Sequence, residues 1–134
     1  MIAADGEGAT KLVTVDVLGA ATDEDAEKVA RSIANSPLVK TAIFGHDANW
    51  GRVAAAAGKC GVEFSQYNVD IDLMGVPVLR AGLPVPMDEE DMLRRFEGPE
   101  VPIVIALGEG EAHARVWTCD LTHEYIVING DYRT

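Results

Sequence analysis

Apolar and polar positions change period several times along this chain, and each change predicts an element. From Lys11 to Val17, Val13, Val15 and Val17 alternate with Leu12 and Thr14, the two-residue period of a strand leaving a glycine-rich stretch. Gly19 to Ala21 close it. Thr22 then suits an N-cap, with Asp23, Glu24 and Asp25 in the first turn of a helix that buries Ala26, Val29, Ala30 and Ile33. Pro37 ends that helix near Ser36, and the apolar run from Leu38 to Phe44 does not declare its type. Gly45 to Asn49 is turn chemistry, followed by a helix starting near Asp47 or Asn49 that turns Trp50, Val53, Ala54 and Ala57 inward and ends at Gly58 or Gly61.

The second half reads mainly as strands. Val69, Ile71 and Leu73 alternate with Asp70 and Asp72; Gly75 turns; Val76 to Arg80 returns, with Pro77 marking an edge. Ala81 to Pro84 reads as a loop. Asp88 caps a short helix expected to bury Met92, Leu93 and Phe96, with Glu90–Arg94 and Asp91–Arg95 as surface pairs. Val101, Ile103, Ile105 and Leu107 form the clearest strand, and Gly108-Glu109-Gly110-Glu111 is expected to turn it onto a partner, Ala112 to Cys119. Without an internal linker or repeat, this predicts one α/β (α+β) domain over residues 1–134, a mixed or antiparallel sheet with two to four helices.

Composition narrows the function classes. The 134 residues are 48% hydrophobic, enough to bury a core. With 22 acidic and 11 basic residues the net charge is −11, which argues against nucleic acid and against anionic membranes as partners. No apolar run approaches membrane-spanning length, and the first residues carry no basic-then-apolar signal pattern. Cys60 and Cys119 form neither a disulfide framework nor a CxxC pair, which points to a reducing, cytoplasmic compartment.

Candidate chemistry lies at the two ends. Glu7 sits between Gly6 and Gly8, with Lys11 four residues on. The stretch is neither a Walker loop nor GxGxxG, and it precedes a strand rather than a helix. Local chemistry leaves two readings open: a tight turn with a solvated carboxylate, or a carboxylate that binds an ammonium group or tunes a nearby base. His46, His113 and His123 are scattered without ligand spacing, so no metal is expected. No GxSxG elbow occurs, and neither cysteine has an evident histidine partner in sequence. Trp50 and Trp117 are read as packing residues. The tail from Asp120 to Thr134 is dense in polar and aromatic groups; docked, it would bring the Asn129 amide, the Thr134 hydroxyl and a carboxylate together, which suits a zwitterionic amino acid.

Four blocks then carry a resemblance: Asp5-Gly6-Glu7-Gly8-Ala9-Thr10-Lys11; Ala34-Asn35-Ser36-Pro37-Leu38-Val39-Lys40-Thr41-Ala42; Asp47-Ala48-Asn49-Trp50-Gly51-Arg52; and Cys119 to Tyr125 with Ile128 to Thr134. In these the chain resembles the C-terminal part of the β chain of the ornithine acetyltransferase (glutamate N-acetyltransferase) family. The resemblance implies the C-terminal domain of a self-cleaving acetyltransferase. In such a protein a threonine freed at the start of β takes the acetyl group of N-acetylornithine, releases ornithine, and passes the group to glutamate to give acetylglutamate. It implies no cofactor, acetyl-CoA as a further donor in some members, and an oxyanion hole in the α chain. By the same resemblance Glu7, Asn129 and Thr134 are substrate-binding positions, while Lys11 and the Asn49–Arg52 block are structural support. The nucleophilic threonine, its lysine and the oxyanion hole fall upstream, so no catalytic residue is expected in this chain and it is expected to be inactive alone. Its expected partners are the α chain and the rest of β, and surfaces facing them should be apolar and drive self-association. Gly130 stands where alanine is common, and His46 where a charged residue is frequent. A non-catalytic remnant, or an amino-acid-binding or assembly module, is the alternative.

Overall fold

The computed structural model describes residues 11–119 and the backbone of residues 127–128. Among the described residues, seven strands and four α-helices follow in the order β1 Leu12–Ala20, α1 Asp23–Ala34, α2 Pro37–Phe44, α3 Trp50–Gly58, then a 3-10 turn Gln66–Asn68, β2 Asp70–Leu73, β3 Val76–Arg80, β4 Leu83–Pro84, α4 Glu89–Arg95, β5 Glu100–Ala106, β6 Ala112–Cys119 and β7 Val127–Ile128. The strands make one sheet in the order β4-β3-β2-β5-β1-β6-β7. Only β1 and β5 run parallel; the other neighbours are antiparallel, so the sheet is mixed.

Local chemistry places the helices. Thr22 caps α1 by accepting from the Asp25 N–H, and Ala26, Val29, Ala30 and Ile33 are buried as their spacing requires. The undeclared run after Pro37 is a helix. Ser36 accepts from the Val39 N–H at 3.2 Å, Pro37 takes the first turn, and Val39, Ala42 and Ile43 bury one face. Pro37 therefore begins α2 as well as following the end of α1. Asn49 caps α3 through the Arg52 N–H at 3.1 Å, and Arg52 Nη1 crosses to the Leu38 carbonyl (2.9 Å) and the Thr41 hydroxyl (3.2 Å). The Asn49–Arg52 block thus ties α3 to α2. Val53, Ala56 and Ala57 are buried, while Trp50 and Ala54 are half-buried against the core.

Val13, Val15 and Val17 of β1, Ile103 and Ile105 of β5 and Val116 of β6 share one core with α1, Met92 and Phe96. Leu93 departs from expectation at 50% exposed. Met92 and Phe96, four apart, already make the inward face of so short a helix, and Leu93 lies about 100° round from it. Leu83–Pro84, read as loop, forms a two-residue strand pairing with Leu79 and Arg80. β4 reaches only Leu79 and Arg80, so Pro77, the register partner of Asp72 on β2, lies on the part of β3 that β4 leaves uncovered.

The largest difference lies between β5 and β6. They do not pair: β1 lies between them. The Gly108–Glu111 turn passes over the end of β1, and the Gly19 carbonyl accepts from Glu109 N (2.7 Å) and Gly110 N (3.0 Å). Gly19 has φ +73°, and a Cβ on Gly110 would stand 2.8 Å from the Ala20 carbonyl oxygen. The glycines that suggested a hairpin instead permit this crossing, since a larger side chain would block the approach.

Candidate functional site

Glu7, Asn129 and Thr134 lie outside the described residues, and so do residues 120–126 of the tail block. What the structure describes is the frame from which both candidate segments depart. The first residue of β1, Leu12, is the register partner of the last residue of β6, Cys119. On its other side Leu12 meets Glu100, the first residue of β5. The two chain exits therefore stand side by side at one end of the central strand.

That end is fastened from within. Lys11 is only 8% exposed, and its Nζ donates to the Phe96 carbonyl and, at 2.7 Å, to the Gly98 carbonyl. The Leu12 N–H donates to the Pro99 carbonyl at 2.9 Å. Phe96 caps α4, is 1% exposed and stacks on the His46 ring with centroids 5.2 Å apart and planes 4° from parallel. The sequence held a signal for this burial: Lys11 is in phase with Val13, Val15 and Val17, on the face turned to the core.

The sheet face away from the helices carries charge. Arg115 Nε meets Asp16 Oδ1 at 2.6 Å and Nη2 meets Oδ2 at 3.2 Å, joining β6 to β1. The Asp16 carboxylate raises the pKa of the Arg115 guanidinium above its ordinary value. Arg80 pairs with Asp72 at 2.8 Å, and that contact raises its pKa likewise. Asp16 and Arg115 help line an open cleft of about 740 Å³ with Asp23, Glu27 and His113. The cleft holds no nucleophile beside a base, and its one guanidinium is already matched by a carboxylate. Cys60 is half-buried with its thiol on the Ala57 carbonyl at 3.4 Å, and Cys119 is buried. Among the described residues no three His, Cys, Asp or Glu side chains come together for a metal, and no helix is long and apolar enough to cross a membrane.

Fold and frame together define a class: a two-layer α/β domain, helices on one face of a mixed sheet, whose neighbouring ends lead into both candidate segments. The chain belongs to the ArgJ family, whose pattern matches residues 1–134. It is 48% identical over 134 residues to the arginine biosynthesis bifunctional protein ArgJ of Chlorobaculum tepidum, covering 100% of this chain and 33% of the relative. It is 52% identical over 134 residues to the protein of the same description from Bradyrhizobium diazoefficiens, covering 99% of this chain and 32% of the relative. The chain thus spans about a third of the length of these curated relatives. A crystal structure described as arginine biosynthesis bifunctional protein argJ from Bacillus halodurans superposes with a TM-score of 0.85 at 44% identity, over 92% of this chain and 59% of that one.

Proposed function

We propose that this chain is the C-terminal part of the β chain of a cytoplasmic glutamate N-acetyltransferase of arginine biosynthesis, and that it supplies substrate-binding groups rather than the nucleophile. The observation that carries this reading is the match over residues 1–134 to relatives about three times as long that are described as arginine biosynthesis bifunctional proteins. In the proposed reaction an upstream threonine hydroxyl attacks the acetyl carbonyl of N2-acetyl-L-ornithine. A C–O bond forms, the C–N bond breaks, and the hydroxyl proton passes to the departing ornithine amine. The amine of L-glutamate then attacks the acetyl-threonine, forming acetylglutamate and restoring the hydroxyl. Acetyl-CoA is a second candidate donor. An oxyanion hole in the α chain would stabilise the oxyanion of each tetrahedral intermediate.

Within this division Glu7 pairs with a substrate ammonium group, while Asn129 and Thr134 hold its amino-acid end. The adjacency of Leu12 and Cys119 supports such a shared task, because the segments bearing these residues depart from one place. The α chain and the rest of β complete the assembly, which we expect to be oligomeric. The test is acetyl transfer from N-acetylornithine to glutamate, measured on the purified chain and on the chain co-expressed with its upstream portion. Transfer only in the second case is expected; transfer by the chain alone would overturn the assignment of the nucleophile. A combined sample that binds ornithine yet never transfers would favour the binding-module alternative.

A further inference from the structure

We propose that Lys11 is a positioning residue of the amino-acid site: its buried ammonium pins the start of β1 to the carbonyl end of α4 and so fixes the point from which the Glu7-bearing segment departs. The proposal rests on the reading of Glu7 as a substrate contact.

A lysine at a core-facing strand position is costly. Its charge leaves water, and a methionine or leucine would fill the same slot without that cost. The ammonium offsets the cost through what it touches. α4 ends at Arg95 with Phe96 as its cap, and the carbonyls of a helix's last turn lack partners within the helix and carry partial negative charge. Lys11 takes the Phe96 carbonyl from that end and the Gly98 carbonyl just beyond it. The main chain adds a tie one residue on, from Leu12 N to the Pro99 carbonyl. Three carbonyls of the segment from Phe96 to Pro99 are thereby committed to two consecutive residues at the start of β1.

The anchor is held in place. Phe96 is 1% exposed, donates its own N–H to the Met92 carbonyl at 3.0 Å, and is faced by the His46 ring. A pin set in so packed a body fixes an origin well. From Lys11, four residues reach Glu7, a span of at most about 14 Å when fully extended. A shift of the pin therefore displaces the start of a short tether, and small displacements of a binding group weaken substrate binding.

The experiment uses the complete enzyme, this chain together with its upstream portion, and compares Lys11→Met, Lys11→Gln and Lys11→Arg with Glu7→Gln and with Arg52→Leu. The last breaks the α2–α3 tie, whose bonds to Leu38 and Thr41 are separate from those of Lys11 to Phe96 and Gly98. We expect Lys11→Met to raise KM for N-acetylornithine about tenfold with kcat held within about threefold, Lys11→Arg to recover most of the loss, and Arg52→Leu to lower Tm without moving KM. Lys11→Gln keeps donors for the same carbonyls and should fall between Met and Arg, which preserves the test if the Met variant does not fold. Lys11 variants that lower Tm as Arg52→Leu does but leave KM unmoved, while Glu7→Gln raises it, overturn the positioning role alone. An unmoved KM in Glu7→Gln overturns the reading of Glu7 and this proposal with it.

Discussion

Leu12 and Cys119 stand opposite one another at the end of the β1–β6 ladder, so the described body begins and ends at one place. Among the described residues the core cluster runs from Val13 to Val116, and β7 adds a two-residue pairing beside β6. The fragment 11–119 should therefore unfold in one cooperative transition, with Tm within about 5 °C of the whole chain. Circular dichroism during heating checks this; a broad or absent transition would show that the outer segments are needed for the core.

Arg52 bridges two helices that share few other ties. Arg52→Leu removes its bonds to the Leu38 carbonyl and the Thr41 hydroxyl while keeping an aliphatic stem. At roughly 0.5–1.5 kcal/mol per hydrogen bond, discounted because the guanidinium is exposed, the expected loss is about 1 kcal/mol. Urea unfolding should show a lower midpoint at unchanged slope.

Gly110→Ala tests the crossing over β1. The added methyl would meet the Ala20 carbonyl oxygen at 2.8 Å, a backbone atom that cannot move without disturbing β1. A loss of about 1–3 kcal/mol is expected. Gly98→Ala is the comparison: its nearest neighbour stands 3.7 Å away and its φ is ordinary, so the change should lie within about 0.5 kcal/mol.

The acid limb of stability should depend on Asp91. The Arg95 guanidinium, bonded at 2.8 Å, and then Arg94 hold its carboxyl below the ordinary carboxylate range. The folded state thus binds this proton less readily than the unfolded chain. The stabilisation is complete above the ordinary Asp range, near pH 4, and is lost as pH falls through the depressed folded value. Asp91→Asn should lower Tm at pH 7 and shrink the difference from the parent chain below about pH 3, read by thermal melts across pH 2–7.

The helices were legible because local signals agreed. Thr22 with its acidic first turn, Asn49, and Asp88, which accepts from the Glu90 and Asp91 N–H groups, each cap the helix expected of them. The run after Pro37 was not, because Val39, Ala42 and Ile43 follow one another too briefly for either period to prevail; Ser36 and Pro37 together held the answer. The order of strands could not be read at all. Nothing local to Val101–Leu107 or Ala112–Cys119 says that a strand from the far end of the chain comes between them, and the glycine turn fits a hairpin equally well. Lys11 was legible in phase but not in partner, since Phe96 and Gly98 are brought to it only by the fold. The family blocks identified Glu7, Asn129 and Thr134 as candidates, and the structure adds the common frame from which their segments leave.

The central place of β1 also sets the order in which the protein can assemble. Its two neighbours, β5 and β6, are made last among the long strands, so Leu12 waits for Glu100 before its first ladder can close. Until then the valines of β1 have only helices to cover them, and their edges stay open to other chains. During synthesis the nascent segment is thus most exposed to misassociation before these two strands emerge, and chaperone dependence should fall sharply once residue 119 is free of the ribosome.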